Sequence, residues 1–218
     1  MDEIMEVGKA LGTILAEVLI ALYFCHKYIK QATAKFPIGP GVKAQAEIDL
    51  KIIKEMDYYK ELLKADRVLL FEFHNGQHYS NYRSALKMSA SYEVYRAGLT
   101  ETAQACSGIP IASMPHFVSA ITNEGYVICK DLEDIKNEMG SSYNFKKALG
   151  IKSFYDVALR DKENNVIGFV AVQWNGDMPE DITAQSVERL AWYLEECIKE
   201  LTDLDKKVKT KKKFLFFK

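Results

Sequence analysis

Arg67-Val-Leu-Leu-Phe-Glu-Phe-His74 is the stretch on which the fold of this chain turns. Its opening residues are apolar on both faces of an extended chain, which is the pattern of a central strand covered on two sides. Working outward, Asn75-Gly76 reads as the break that ends the strand, with a polar loop to Ser84 and a second strand over residues 85–94. Pro110 and Pro115 frame a loop that leads into a short helix at 116–122, and residues 126–132 give a third strand. Residues 151–160 and 166–175 flank Asp161-Lys-Glu-Asn-Asn165, a turn-rich connection of hairpin length, so these two strands are expected to pair antiparallel.

Amphipathic helices bracket the strands. Ile48, Ile52, Met56, Tyr59, Leu62 and Leu63 recur on one face over residues 43–65. Val187, Leu190, Ala191, Leu194, Cys197, Ile198 and Leu201 do the same over 182–204. Each helix has one apolar face to bury, and both are expected on the same side of the sheet. The fold class is α+β, with a central antiparallel sheet and terminal helices packed on one face.

Length allows one ordinary domain and an appendage, because 218 residues exceed a typical single core without reaching two. With 48% hydrophobic and 27% charged residues, the composition excludes a disordered or fibrous chain. Cys25, Cys106, Cys129 and Cys197 have no CxxC spacing and read as reduced thiols, the state expected of a cytosol-facing domain. The expected organisation is an apolar helix in 1–35, a linker over 36–42 carrying Phe36-Pro-Ile-Gly-Pro-Gly41, a body over 43–205 and a Lys/Phe-rich tail over 206–218.

The helix over Ala10 to Cys25 contains a single charge, Glu17. Sixteen residues at 1.5 Å each give about 24 Å, short of a ~30 Å hydrocarbon layer unless Lys9 and Lys27 snorkel. Glu6, Lys9, Thr13 and Glu17 form a polar stripe. A span, an interfacial helix and a coiled-coil strand all fit that stripe, and a membrane anchor is the reading preferred, with Leu15, Val18, Leu19 and Leu22 as lipid contacts. The acidic start followed by His26, Lys27, Lys30 and Lys35 would put the body in the cytoplasm. At the other end, seven lysines fall between Lys206 and Lys218. Lys211, Lys212, Lys213, Phe214, Phe216 and Phe217 combine cations with an apolar tip, which suits anionic lipid better than nucleic acid.

In order and in detail the chain resembles a GAF domain. The residues that carry the resemblance are Arg67-Val-Leu-Leu-Phe-Glu-Phe-His-Asn-Gly76, Arg83-Ser-Ala-Leu-Lys-Met-Ser89, Ile151-Lys-Ser-Phe-Tyr155 and Ile167-Gly-Phe-Val-Ala-Val-Gln-Trp174. They look like the strands of GAF-like proteins of bacteriophages, several of which begin with an apolar helix. The resemblance covers residues 43–205. It implies a small-molecule or dimerisation module, placed in a virion or in a phage-infected cell, and it names no cofactor.

Period-two alternation puts Glu72 and His74 in line with Val68 and Leu70, and Gln173 and Asn175 in line with Phe169 and Ala171. If these strand ends meet, Glu72, His74, Asn75, Gln173 and Asn175, with Arg83 and Tyr92, would form a polar floor for an unknown small molecule. The competing expectation is that such groups satisfy backbone donors of the 75–84 and 100–118 excursions. His74, His78 and His116 do not make a metal site, because Asn75-Gly76 separates the first two. No nucleophile elbow, Walker loop or dinucleotide glycine pattern is present, so no enzyme is expected. The alternative function is a structural or interaction protein that forms a homo-oligomer or joins a virion or membrane assembly.

Overall fold

The computed structural model describes residues 12, 15–27, 40–78 and 82–215, with side chains from Gly41 onward in the body and only to Lys206. Residues 15–27 are helical (α1), and their apolar side chains Leu15, Val18, Leu19 and Leu22 are exposed. They belong to a unit spanning Met1–Val42, separate from the unit Lys43–Lys218. Among the described residues no helix is long and apolar enough to cross a membrane. Of the expected 36–42 linker, residues 36–39 lie outside the description. Pro40 opens α2 (Pro40–Leu62), where a proline's missing N–H is one the first turn could not have used.

Six strands form one sheet, β1 (Arg67–His78), β2 (Ser84–Tyr95), β3 (Ile109–Pro110), β4 (Tyr126–Cys129), β5 (Ser153–Arg160) and β6 (Val166–Trp174), in the order β3-β2-β1-β6-β5-β4. β1 is central, as its double-sided apolar start implies, and is paired antiparallel on both edges. The β5/β6 hairpin pairs from Ser153↔Trp174 to Arg160↔Val166, as expected. Its turn is closed by the Asp161 carboxylate, which accepts from the backbone N–H of Glu163 at 3.0 Å and of Asn165 at 2.8 Å.

Alternation divides the core in two. On one face α2 and α5 (Ala184–Leu215) enclose Ile52, Met56, Val68, Leu70, Val170, Val172, Leu190 and Leu194. The two terminal helices therefore share a side, as their apolar faces require. On the other face lie α3 (Pro115–Glu124), α4 (Gly140–Ala148) and short 3-10 turns over Leu69, Phe71, Phe117, Phe154 and Phe169.

Three expectations need correction and one needs placing. β1 does not stop at Asn75-Gly76 but runs to His78, because Gly76 admits a close approach: a Cβ there would collide with the Ala85 carbonyl oxygen of the partner strand. The third strand ends at Cys129 rather than 132, where Asp131 accepts from the Glu133 N–H and turns the chain into a 3-10 segment. The last helix continues to Leu215, past the expected end at 204, so the lysines from Lys206 to Lys213 lie on it; Phe216 and Phe217 lie outside the described residues. Finally, the short helices expected between the third strand and residue 151 take their place as a 3-10 turn and α4, whose nine residues give too few turns for a periodicity to locate it.

Gly168 is a second position where only glycine fits. A Cβ would strike the Phe71 carbonyl oxygen and press on the Glu72 backbone, neither of which can yield as a side chain could. Gly168→Ala is expected to lower stability by about 1–3 kcal/mol. A denaturant midpoint unchanged from that of the parent protein would contradict this reading.

Candidate functional site

The expected pocket does not form. β1 and β6 run antiparallel with Arg67 opposite Gln173 and Glu72 opposite Gly168, so the C-terminal end of β1 meets the start of β6. Five residue steps at about 3.4 Å put Glu72 roughly 17 Å from the Gln173 row. The faces differ as well. Glu72 follows Val68 and Leu70 on the α2/α5 side, whereas Gln173 follows Phe169 and Ala171 on the α3/α4 side.

The remaining candidates scatter accordingly. Glu72 accepts a short hydrogen bond from the Ser91 hydroxyl. Exposed His74 has Nε2 2.8 Å from Ser89 Oγ. Tyr92 packs against the terminal-helix core and donates to Asp49 Oδ1 at 2.6 Å; burial, then that hydrogen bond, raises its hydroxyl pKa. Exposed Asn175 donates its backbone N–H to Asp66 Oδ2 at 2.7 Å, and Arg83 is exposed ahead of β2. Asn75 joins His74, Phe73, Leu86, Ile111 and Val118 around an open, mainly apolar cleft of about 310 Å³.

Gln173 alone leads to a site. It is buried, as are Arg67 beside it on β1 and Asp156 on β5, and all three project from the α3/α4 face. The row reads Arg67, Gln173, Phe154 across three strands, with Asp156 two residues beyond Phe154. Above it, Ser142, Tyr143 and Lys146 form the buried side of α4. The Lys146 ammonium donates to Asp156 Oδ2 at 2.7 Å and stands 3.6 Å from the Phe154 ring centre and 5.5 Å from that of Phe117. It is thus caged by a carboxylate and two aromatic faces.

A second buried pair adjoins the first. Arg67 Nε lies 2.7 Å from Glu93 Oε1, with the two side chains 4% and 2% exposed, without the alignment of a hydrogen bond. Arg67 Nη2 donates to the Thr100 carbonyl at 2.7 Å, and Glu93 accepts from the N–H of Thr102 at 2.8 Å and of Ala103 at 2.6 Å. Holding the backbone of the 100–118 excursion is therefore the work of Arg67 and Glu93, not of Glu72 or His74. Two cations and two anions balance inside the protein, yet Arg67 Nη1, Asp156 Oδ1 and Gln173 Oε1 are buried without a hydrogen-bond partner. Such atoms are rare in folded proteins, and each calls for a partner, whether ordered water or a ligand.

Burial raises the Asp156 carboxyl above the ordinary range, against the pull of the Lys146 charge and its hydrogen bond. Burial also lifts the Cys106 and Cys129 thiols to about 11, which keeps both neutral at physiological pH. In the native protein both are expected to resist iodoacetamide at neutral pH while exposed Cys25 reacts. Labelling of Cys106 as fast as Cys25, read by peptide mass spectrometry, would contradict it. One signal for Glu93 and Asp156 lies in the sequence: each is the single charge in its stretch, Met88–Tyr95 and Ser153–Leu159, whereas Arg67 directly follows Asp66. Lys146 leaves no such trace.

No family model matches this chain, and no curated protein matches it. Solved structures do. The red/green cyanobacteriochrome NpR6012g4 aligns with a TM-score of 0.55 at 13% identity, over 74% of this chain and 96% of that one. The blue-light-absorbing PixJ GAF domain of Thermosynechococcus elongatus aligns at 0.53 and 12%, over 82% and 95%. A far-red-absorbing domain with bound biliverdin IXa aligns at 0.52 and 13%, over 73% and 99%. The fold is that of a GAF domain.

Proposed function

We propose that this chain is a non-catalytic, small-molecule-binding or sensory module whose ligand sits between the sheet and the α3/α4 layer. The observation that carries the proposal is the set of three unpartnered polar atoms on Arg67, Asp156 and Gln173, each on a side chain at least nine-tenths buried and all on one face. One structural neighbour holds biliverdin. In this chain the middle of the α3/α4 face is filled by Phe71 stacked on Phe169 at 4.6 Å, with Phe117 edge-on at 5.2 Å, which favours a ligand much smaller than a tetrapyrrole. A non-catalytic role is favoured by thiols held neutral and by ionised groups committed to one another. Native mass spectrometry of the full chain purified from cells tests the proposal: a stoichiometric adduct supports it, and a bare chain counts against it.

The proposal includes attachment to a membrane through the exposed apolar residues of α1, aided by Lys211, Lys212 and Lys213, in a cytoplasm-facing protein of bacteriophage origin. Support for the membrane attachment is the run of exposed Leu15, Val18, Leu19, Ile20, Leu22, Tyr23 and Phe24. Co-sedimentation of the full chain with anionic vesicles, weakened by salt, is the expected result. A second reading, self-association, is favoured by exposed Tyr58 and Leu62 on α2 and Trp192 on α5, which is 62% exposed. Sedimentation velocity separates a monomer from an oligomer.

A further inference from the structure

Resting on the binding-module reading above, the nature of the three free atoms restricts what the ligand can be. Arg67 Nη1 belongs to a guanidinium and can only donate, while Asp156 Oδ1 belongs to a carboxylate that already accepts from Lys146 through its other oxygen. The Gln173 amide stands between them and can turn either of its ends toward a ligand. A molecule that completes this set needs an accepting group at one end and a donating group at the other.

Charge narrows the class further. Arg67 and Lys146 are balanced by Glu93 and Asp156 in a region with little access to water. A lone anion or a lone cation would add an uncompensated charge there, which is strongly unfavourable in a low-dielectric interior. A neutral amide would keep the balance but would give each ionised group only a weak partner. A molecule carrying both charges keeps the balance and forms charge-assisted hydrogen bonds at both ends. The sheet sets an upper limit on its length. Arg67 and Asp156 are two strands and two residues apart, about 12 Å between Cα atoms from standard sheet spacings.

We propose that the ligand is a small zwitterion of the α-amino-acid class, its carboxylate on Arg67 Nη1 and its ammonium on Asp156 Oδ1, with Gln173 between the two. The Phe154 and Phe117 rings that flank Lys146 supply an apolar wall for the ligand's carbon skeleton. Admission requires the N-terminal end of α4 to lift while Lys146, in its last turn, stays paired with Asp156, and its construction permits this. It is nine residues long, has no side-chain cap at its N-terminal end, and is followed by Gly150 at φ +74°. Binding that waits on such a shift is slower than diffusional encounter.

The test is calorimetry and thermal unfolding of the full chain with each common α-amino acid, beside n-butylammonium chloride, sodium butyrate and acetamide. At least one amino acid is expected to bind and raise the Tm, while the singly charged and neutral probes leave it unchanged. Gln173→Leu is expected to retain or raise the Tm of the free protein, since it removes an unsatisfied buried amide, and to weaken amino-acid binding about tenfold. Arg67→Gln is expected to weaken it about 30-fold or more. Absence of any amino-acid effect, or an equal effect of butyrate or butylammonium alone, overturns the proposal. A co-purified adduct that is not a zwitterion would overturn the ligand class while leaving the binding-module reading intact. If neither an adduct nor a shift is seen, buried water satisfies these atoms and both readings fall.

Discussion

Lys146→Ala is expected to remove about 3–5 kcal/mol of folding stability, among the largest losses any single change in this chain should produce. The reason is what the substitution leaves behind. Asp156 is fully buried, and Lys146 Nζ at 2.7 Å is the cation that compensates it. Without the ammonium the carboxylate must stay charged and unpaired or take up a proton. Replacing both members with apolar residues, Lys146→Met with Asp156→Leu, removes the problem with its cause and is expected to recover most of the loss. Urea unfolding of the three proteins decides it: a single variant within about 1 kcal/mol of the parent would show that water reaches Asp156.

The same pair predicts a pH dependence with a definite sign. Burial raises the folded-state pKa of Asp156 above its unfolded value of about 3.9, so its contribution to stability is present below that value and is lost as pH rises through the folded pKa. In the parent protein the Lys146 charge opposes this loss. In Lys146→Ala nothing does, so the gap between variant and parent should widen from acid toward neutral pH. A gap that is constant with pH would mean that lost packing, not the stranded carboxylate, is responsible.

Phe169→Ala is the second large effect, expected at about 3–5 kcal/mol. Phe169 is buried at the middle of β6 on the α3/α4 face, stacked on Phe71 at an interplanar angle of 8° and met edge-on by Phe117 from α3. Removing it opens a cavity that three elements line. None of them can close it without moving a strand, and the aromatic contacts are lost as well. Phe169→Leu fills much of the volume and should cost about half as much. Equal losses for the two variants, by thermal or urea unfolding, would show that the ring stack and not the cavity sets the effect.

What the sequence determined by itself was local. Continuous apolar runs in 67–74 and 166–174, and apolar residues at helical spacing in 43–65 and 182–204, located the central strands and the terminal helices. Each of these segments carries its whole pattern within its own length. The Asp161 to Asn165 turn fixed the β5/β6 hairpin for the same reason. Tertiary structure alone decided the site. Alternation tells which residues of one strand share a face, but not which end of that strand meets which end of another. The antiparallel β1/β6 register separated Glu72 from Gln173 and placed Arg67 beside Gln173 instead. Lys146 lies on a helix too short to announce itself and is buried only because α4 settles over Asp156. Its pairing therefore depends on the packing of a layer on the sheet, which no local pattern encodes.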